Sequence, residues 1–163
     1  MKFGGQIPST KNVGFNNNFH KINEIGLQKA YRSDNKLHVD GDTMFIAGTS
    51  SLGDWYDNIT KIPVWGDLRN SKCYKDADEV LKENPDVKKL FSHSLGGSVS
   101  LELDTNNPGK YETTTYGAPV FLGLKGGSNR YRHRNDLISA FDFGAKSMGF
   151  NLNPLVAHSF QNY

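Results

Sequence analysis

A serine hydroxyl becomes a nucleophile when the backbone holds it clear of its neighbours and a base stands ready to take its proton. The stretch Ser92-His93-Ser94-Leu95-Gly96, followed by Gly97, has residue types that fit the first condition. In a strand–serine–helix turn of the form G-x-S-x-G, small flanking residues allow a sharp, strained turn that lifts the serine oxygen above a sheet. Ser92 occupies the position of the first glycine, which adds a Cβ where helix and strand approach and leaves the residue small. A glycine-rich strand-to-helix loop with structural serines would read the same over these five residues, so the surrounding chain has to decide.

The base and its orienting acid lie downstream. The chain order that accompanies this turn is serine, then Asp or Glu, then histidine. After Ser94 the histidines are His133 and His158. His133 alternates with Arg132 and Arg134 as a strand residue would, which favours His158 as the base. Asp136 directly follows that strand, where a loop at the carboxyl edge of a parallel sheet would carry it, and is the preferred acid. Asp142 is its rival and Asp104 a weaker one. His93 adjoins the nucleophile, and its side chain should point away from Ser94, as a packed neighbour. His20 and His38 read as surface or structural histidines. An oxyanion would need two donors: the N–H of Leu95, after the nucleophile, and Thr49 in Ile46-Ala47-Gly48-Thr49-Ser50-Ser51. An ordinary turn or helix cap would explain the Thr49 segment equally well. The set requires neither metal nor cofactor.

These residues need elements to place them. Leu37-His38-Val39, Asp40-Gly41-Asp42 and Met44–Ala47 read as strand, tight turn and strand. Asp76-Ala77-Asp78-Glu79 opens a helix in a capping-box pattern, with Ala77, Val80 and Leu81 on one face and Asn84-Pro85 as the stop. A strand is expected at Val87–Phe91. After the Ser94 turn, a helix runs through Leu103 with Val99 and Leu103 inward, closed by Asn106-Asn107-Pro108-Gly109. Tyr111–Tyr116 and Arg130–Arg134 read as further strands. Strands alternating with helices imply an α/β fold with a mostly parallel sheet. Residues 1–25, rich in Gly, Asn, Ser and Thr, read as a surface arm, with a short helix over Lys21–Tyr31.

Composition bounds the rest. The 163 residues suit one domain, and 36% apolar with 22% charged residues describes a polar chain that still folds. A formal charge of +2, with scattered Lys and Arg, argues against a nucleic-acid partner. The Arg130–Arg134 cluster reads as the solvated face of a strand, with contact to an anionic surface as the alternative. One cysteine, Cys73, precludes an intrachain disulfide or a cysteine-built zinc site and leaves the compartment open. No signal-peptide core and no apolar run long enough for a membrane span are present, so the expectation is a soluble protein.

Four segments together resemble the class-three, fungal-type lipases of the α/β-hydrolase superfamily. Phe45–Ile59 is similar to that family's strand, oxyanion residue and lid. Leu90–Gly97 is similar to its nucleophile elbow, normally Gly-His-Ser-Leu-Gly-Gly. Thr115-Tyr116-Gly117-Ala118-Pro119 resembles a strand end of the family, and Asn135–Ile138 with Ala157-His158-Ser159 resemble its acid and base segments. The resemblance spans residues 45 to 159. It implies a reduced α/β-hydrolase fold over a single domain, residues 1–163. It also implies a carboxylic ester hydrolase acting on acyl lipids, with Ser94 as nucleophile, Asp136 as acid, His158 as base, and Thr49 with Leu95 as oxyanion hole. Ser50–Thr60, carrying Trp55 and Tyr56, would be a small lid or lip over the acyl pocket, its aromatics either meeting a membrane surface or packing in the core. The departures are Ser92 for glycine, Ala47 for arginine, and a short chain with little left over to build a deep acyl groove. The asparagine-rich composition also resembles small lipase-like proteins of DNA viruses and virophages, where such an enzyme would travel in the particle. The alternatives are a thioesterase, peptidase or acyltransferase using the same triad, and a hydrolase fold kept as a binding or particle-building module.

Overall fold

The computed structural model describes residues 13–48, 68–119, 129–132 and 145–147. Helix α1 (Val13–Arg32) leads into a hairpin of β1 (Leu37–Asp40) and β2 (Thr43–Ile46). A 3₁₀ turn at Leu68–Asn70 precedes α2 (Lys72–Glu83), and β3 (Lys89–His93) is followed at once by α3 (Leu95–Asn106). Then come β4 (Glu112–Tyr116), β5 (Asn129–Arg132) and β6 (Lys146–Ser147). Among the described residues these strands form one sheet in the order β1-β2-β3-β4-β5-β6. The hairpin is antiparallel, and every other pairing is parallel. This is the α/β architecture expected: a mostly parallel sheet flanked by helices.

The two faces of the sheet follow from the alternation of side chains along its strands. Met44, Ile46 and Leu90 join Val99 and Leu103 of α3 and Ala77 and Leu81 of α2 in one aliphatic cluster. Phe45, Ala47, Phe91 and Tyr116 point the other way and pack against Leu27 and Ala30 of α1. The register confirms the assignment, since Phe45 stands opposite Phe91 and Met44 opposite Leu90. Helix α3 is buried from Leu95 through Leu101, and again at Leu103, because strands lie on one side of it and α2 on another.

Two helices begin earlier than their local sequence suggests. The hydroxyl of Ser71 caps α2 by accepting from the Tyr74 N–H at 3.2 Å. The Asp76–Glu79 pattern therefore lies inside the helix, where Asp76 pairs with Lys72 and Asp78 with Lys82, four residues apart in each case. The charges that resembled a capping box are i,i+4 ion pairs. Helix α1 starts at Val13, eight residues before the Lys21 expected from the sequence, and Asn23 is buried within it. Asparagine is a poor helix former, which hides the helix from a local reading. The C-terminal half of α1 is anchored by packing Leu27 and Ala30 on the aromatic face. Residues 1–12 lie outside the described residues.

Candidate active site

Strand β3 ends at His93 and α3 begins at Leu95, so Ser94 alone makes the turn between them. It does so at φ 56° and ψ −132°, a conformation that non-glycine residues rarely adopt and that costs on the order of 1–3 kcal/mol. The surroundings hold it there. Its N–H donates to the Tyr116 carbonyl at the end of β4 (2.9 Å), and its own carbonyl accepts from the Gly97 N–H (2.8 Å). Ser94 is the N-cap residue of α3, a position where serine usually spends its hydroxyl on the helix amides, yet its side chain makes no cap hydrogen bond. The backbone thus carries the turn without a side-chain cap.

Close approach explains the glycines around this turn. A Cβ on Gly96 would come within 2.3 Å of the Ile46 carbonyl oxygen, because the first turn of α3 presses against the end of β2. A Cβ on Gly48 would meet the Ser94 Cβ at 2.6 Å and its Oγ at 3.0 Å. The chain leaving β2 therefore runs directly past the serine side chain. Gly48 immediately precedes Thr49, the residue expected to complete an oxyanion hole. Leu95, the other expected donor, is the first residue of α3, where helix N–H groups have no partner within the helix.

Ser92, the departure from glycine, is fully buried and donates to the Thr114 carbonyl of β4 at 3.4 Å. Its hydroxyl is thus directed to the neighbouring strand. His93 is also buried, and its Nδ1 lies 2.5 Å from the Tyr31 hydroxyl. It belongs to the α1 face, as a packed neighbour of the turn. The Tyr31 phenol, which also bonds the backbone of Gly48, is pushed up to about 12 by burial. Tyr116 is likewise raised to about 12, by burial and then by Tyr131.

The other expected site residues divide by position. Thr49, Trp55, Tyr56, Asp136 and His158 lie outside the described residues, as do His133 and Asp142. Asp104 is described and is ruled out as the acid: it sits ten residues along α3 from Ser94, about 15 Å at the helical rise. His38 stacks on Phe45 with ring centroids 6.1 Å apart, in a structural place. Tyr31 was not singled out from sequence. Its partner is 62 residues away, and no local pattern links them.

A cavity of about 240 Å³ opens at the amino-terminal edge of the sheet, lined by Asn23, Thr43, Phe45, Lys89, Glu112 and Thr114. Lys89 and Glu112 begin β3 and β4, whereas Ser94 follows the opposite end of β3, so this is not an acyl pocket for Ser94. No group of three or more metal-ligating side chains occurs among the described residues. No helix among them is long and apolar enough to cross a membrane.

No protein-family model and no curated protein matches this sequence. Among solved structures, the chain is similar to the crystal structure of Lip2 lipase from Yarrowia lipolytica, at 19% identity and a TM-score of 0.39. The match covers 66% of this chain and 56% of that one, so the chain spans little more than half of that lipase's length. A likeness this slight does not assign chemistry.

Proposed function

We propose that this chain is a serine hydrolase of the α/β-hydrolase type that cleaves carboxylic esters, with acyl lipids as the preferred class. The observation that carries the reading is the conformation of Ser94. A single residue at positive φ joins a central parallel strand to a buried helix, with its hydroxyl withheld from the helix cap and Gly48 packed against it. Strain of this kind at a polar residue is expected where the geometry of the hydroxyl matters.

In this mechanism the Ser94 Oγ attacks the ester carbonyl as His158 takes its proton, while Asp136 fixes the imidazole and offsets its charge. The negative oxygen of the tetrahedral intermediate is met by the Leu95 N–H and by Thr49. Collapse breaks the bond to the alcohol, which leaves with the proton from His158. Water, activated by the same base, then cleaves the acyl-enzyme and restores Ser94. Trp55 and Tyr56 would border the acyl site and meet a lipid surface. The leaving group is read by the pocket and not by the triad, so thioesters and acyl acceptors other than water fall within the same chemistry.

The deciding experiment is hydrolysis of p-nitrophenyl esters of increasing chain length by the wild type and Ser94→Ala, together with labelling by an active-site phosphonate. Activity and labelling that vanish in Ser94→Ala establish the nucleophile, and the chain-length profile separates esterase from lipase. A wild type that neither turns over ester nor takes the label puts the binding module in its place, the reading to which Ser92 and Ala47 already lend weight.

A further inference from the structure

Three chain segments that are distant in sequence meet behind the Ser94 turn. Tyr31 lies near the carboxyl end of α1, Gly48 just past β2, and His93 at the end of β3. The Tyr31 hydroxyl is hydrogen-bonded to the Gly48 backbone and stands 2.5 Å from the His93 Nδ1. The two rings sit tilted at 57° with centroids 6.0 Å apart. Lys36 braces the same corner: its Nζ donates to the Tyr31 carbonyl at 2.8 Å, and its carbonyl accepts from the Ala47 N–H at 2.9 Å.

We infer that Tyr31 is a positioning residue, whose hydroxyl fixes the Gly48 backbone against the His93–Ser94 segment and so sets the space in which the Ser94 hydroxyl stands. The inference rests on the hydrolase reading above. Gly48 is the point of leverage, because it touches the Ser94 side chain and directly precedes Thr49. If it shifts, the space around the Ser94 Oγ changes. Burial keeps the phenol protonated up to about pH 12, so the hydroxyl retains its proton throughout the working range of an esterase. The hydroxyl touches no reacting atom. Its contribution is geometric, and misplacement of about 1 Å in a reacting constellation can cost on the order of 10² in rate.

Tyr31→Phe removes the hydroxyl and keeps the ring. The expected result is a fall in kcat of about tenfold or more with KM changed less than about twofold, since the oxyanion geometry matters most in the transition state. His93→Leu should lose as much, and His93→Asn, whose side-chain amide can hydrogen-bond the phenol in place of Nδ1, should recover most of that loss. The double variant Tyr31→Phe/His93→Leu should be no worse than either single one, because both break the same link. A second readout needs no substrate: amide hydrogen exchange at Gly48 should accelerate in Tyr31→Phe. Unchanged Gly48 protection overturns the clamp whatever the chemistry. A Tyr31→Phe enzyme within twofold of wild-type kcat, when Ser94→Ala is inert, overturns the positioning role and leaves the hydrolase reading standing. A wild type that is inert and unlabelled at Ser94 removes that reading and the catalytic role of Tyr31 with it.

Discussion

The two faces of the sheet are built from different chemistry. Toward α2 and α3 the strands present Met44, Ile46 and Leu90, met by Val99, Leu103, Ala77 and Leu81, an aliphatic layer held by close packing. Toward α1 the same strands present rings in sequence: Phe45 and Phe91 at 5.9 Å, Phe91 and Tyr116 at 5.3 Å, Tyr116 and Tyr131 at 5.2 Å. Such pairs add about 0.5–1.5 kcal/mol each beyond the area they bury. The Tyr31–His93 hydrogen bond lies on this aromatic face. Aliphatic packing is non-directional and tolerates small shifts, while a hydrogen bond between a phenol and an imidazole does not. The division suggests that the α3 face supplies most of the stability and the α1 face holds the turn in register. The aliphatic side also buries the hydroxyls of Ser100, Thr113 and Thr115 without hydrogen-bond partners among the described residues, a cost the packing there has to exceed.

The largest effect that would sharpen this contrast is on activity, in the chain that follows β2. Thr49→Ala should lower turnover by about 10² to 10³ if its donor serves the oxyanion. Gly48→Ala should do comparable damage by forcing a Cβ against Ser94, with Thr49 untouched. Steady-state kinetics check both, and a loss well under tenfold in Thr49→Ala removes it from the mechanism. Next comes stability on the aliphatic face. Leu103→Ala, fully buried in that cluster, should destabilise by about 2–5 kcal/mol in urea while the folded fraction keeps its kcat. If Leu103→Ala instead lowers kcat as Tyr31→Phe does, the division of labour between the faces is wrong.

The smallest effect is a pH dependence confined to the aromatic face. Tyr31 and Tyr116 both have phenols raised from an ordinary value near 10 to about 12. Between those values the unfolded chain releases protons that the folded chain keeps, so the folded state binds more and stability must fall as pH rises. The contribution is fully present below pH 10 and gone above about 12. Thermal unfolding followed from pH 9 to 12 should show Tm declining, and Tyr31→Phe should flatten part of that decline. An unchanged slope in the variant would show that Tyr31 does not hold its proton more tightly in the folded state.

Much of the Ser94 turn was legible because its determinants are local. A β-rich run, a serine flanked by small residues and a helix ending at Asn106-Asn107-Pro108 all lie within a few residues of the structure they dictate. The Asp40-Gly41-Asp42 hairpin was legible for the same reason, and β1 and β2 pair across it as expected. The start of α2 was misread because Asp76–Glu79 satisfies a capping pattern and an i,i+4 ion-pair pattern equally well. Only the hydroxyl of Ser71 on the Tyr74 amide distinguishes them.

By itself the sequence determined that Ser94 would stand between a strand and a helix in an α/β chain, since alternation, turn residues and small flanking side chains act over short range. The tertiary structure alone decided that Gly48 would lie against Ser94 and that Tyr31 would reach both Gly48 and His93. Those outcomes depend on contacts between residues far apart in the chain, whose energies appear only when the sheet brings them together, and no periodicity in the sequence encodes them.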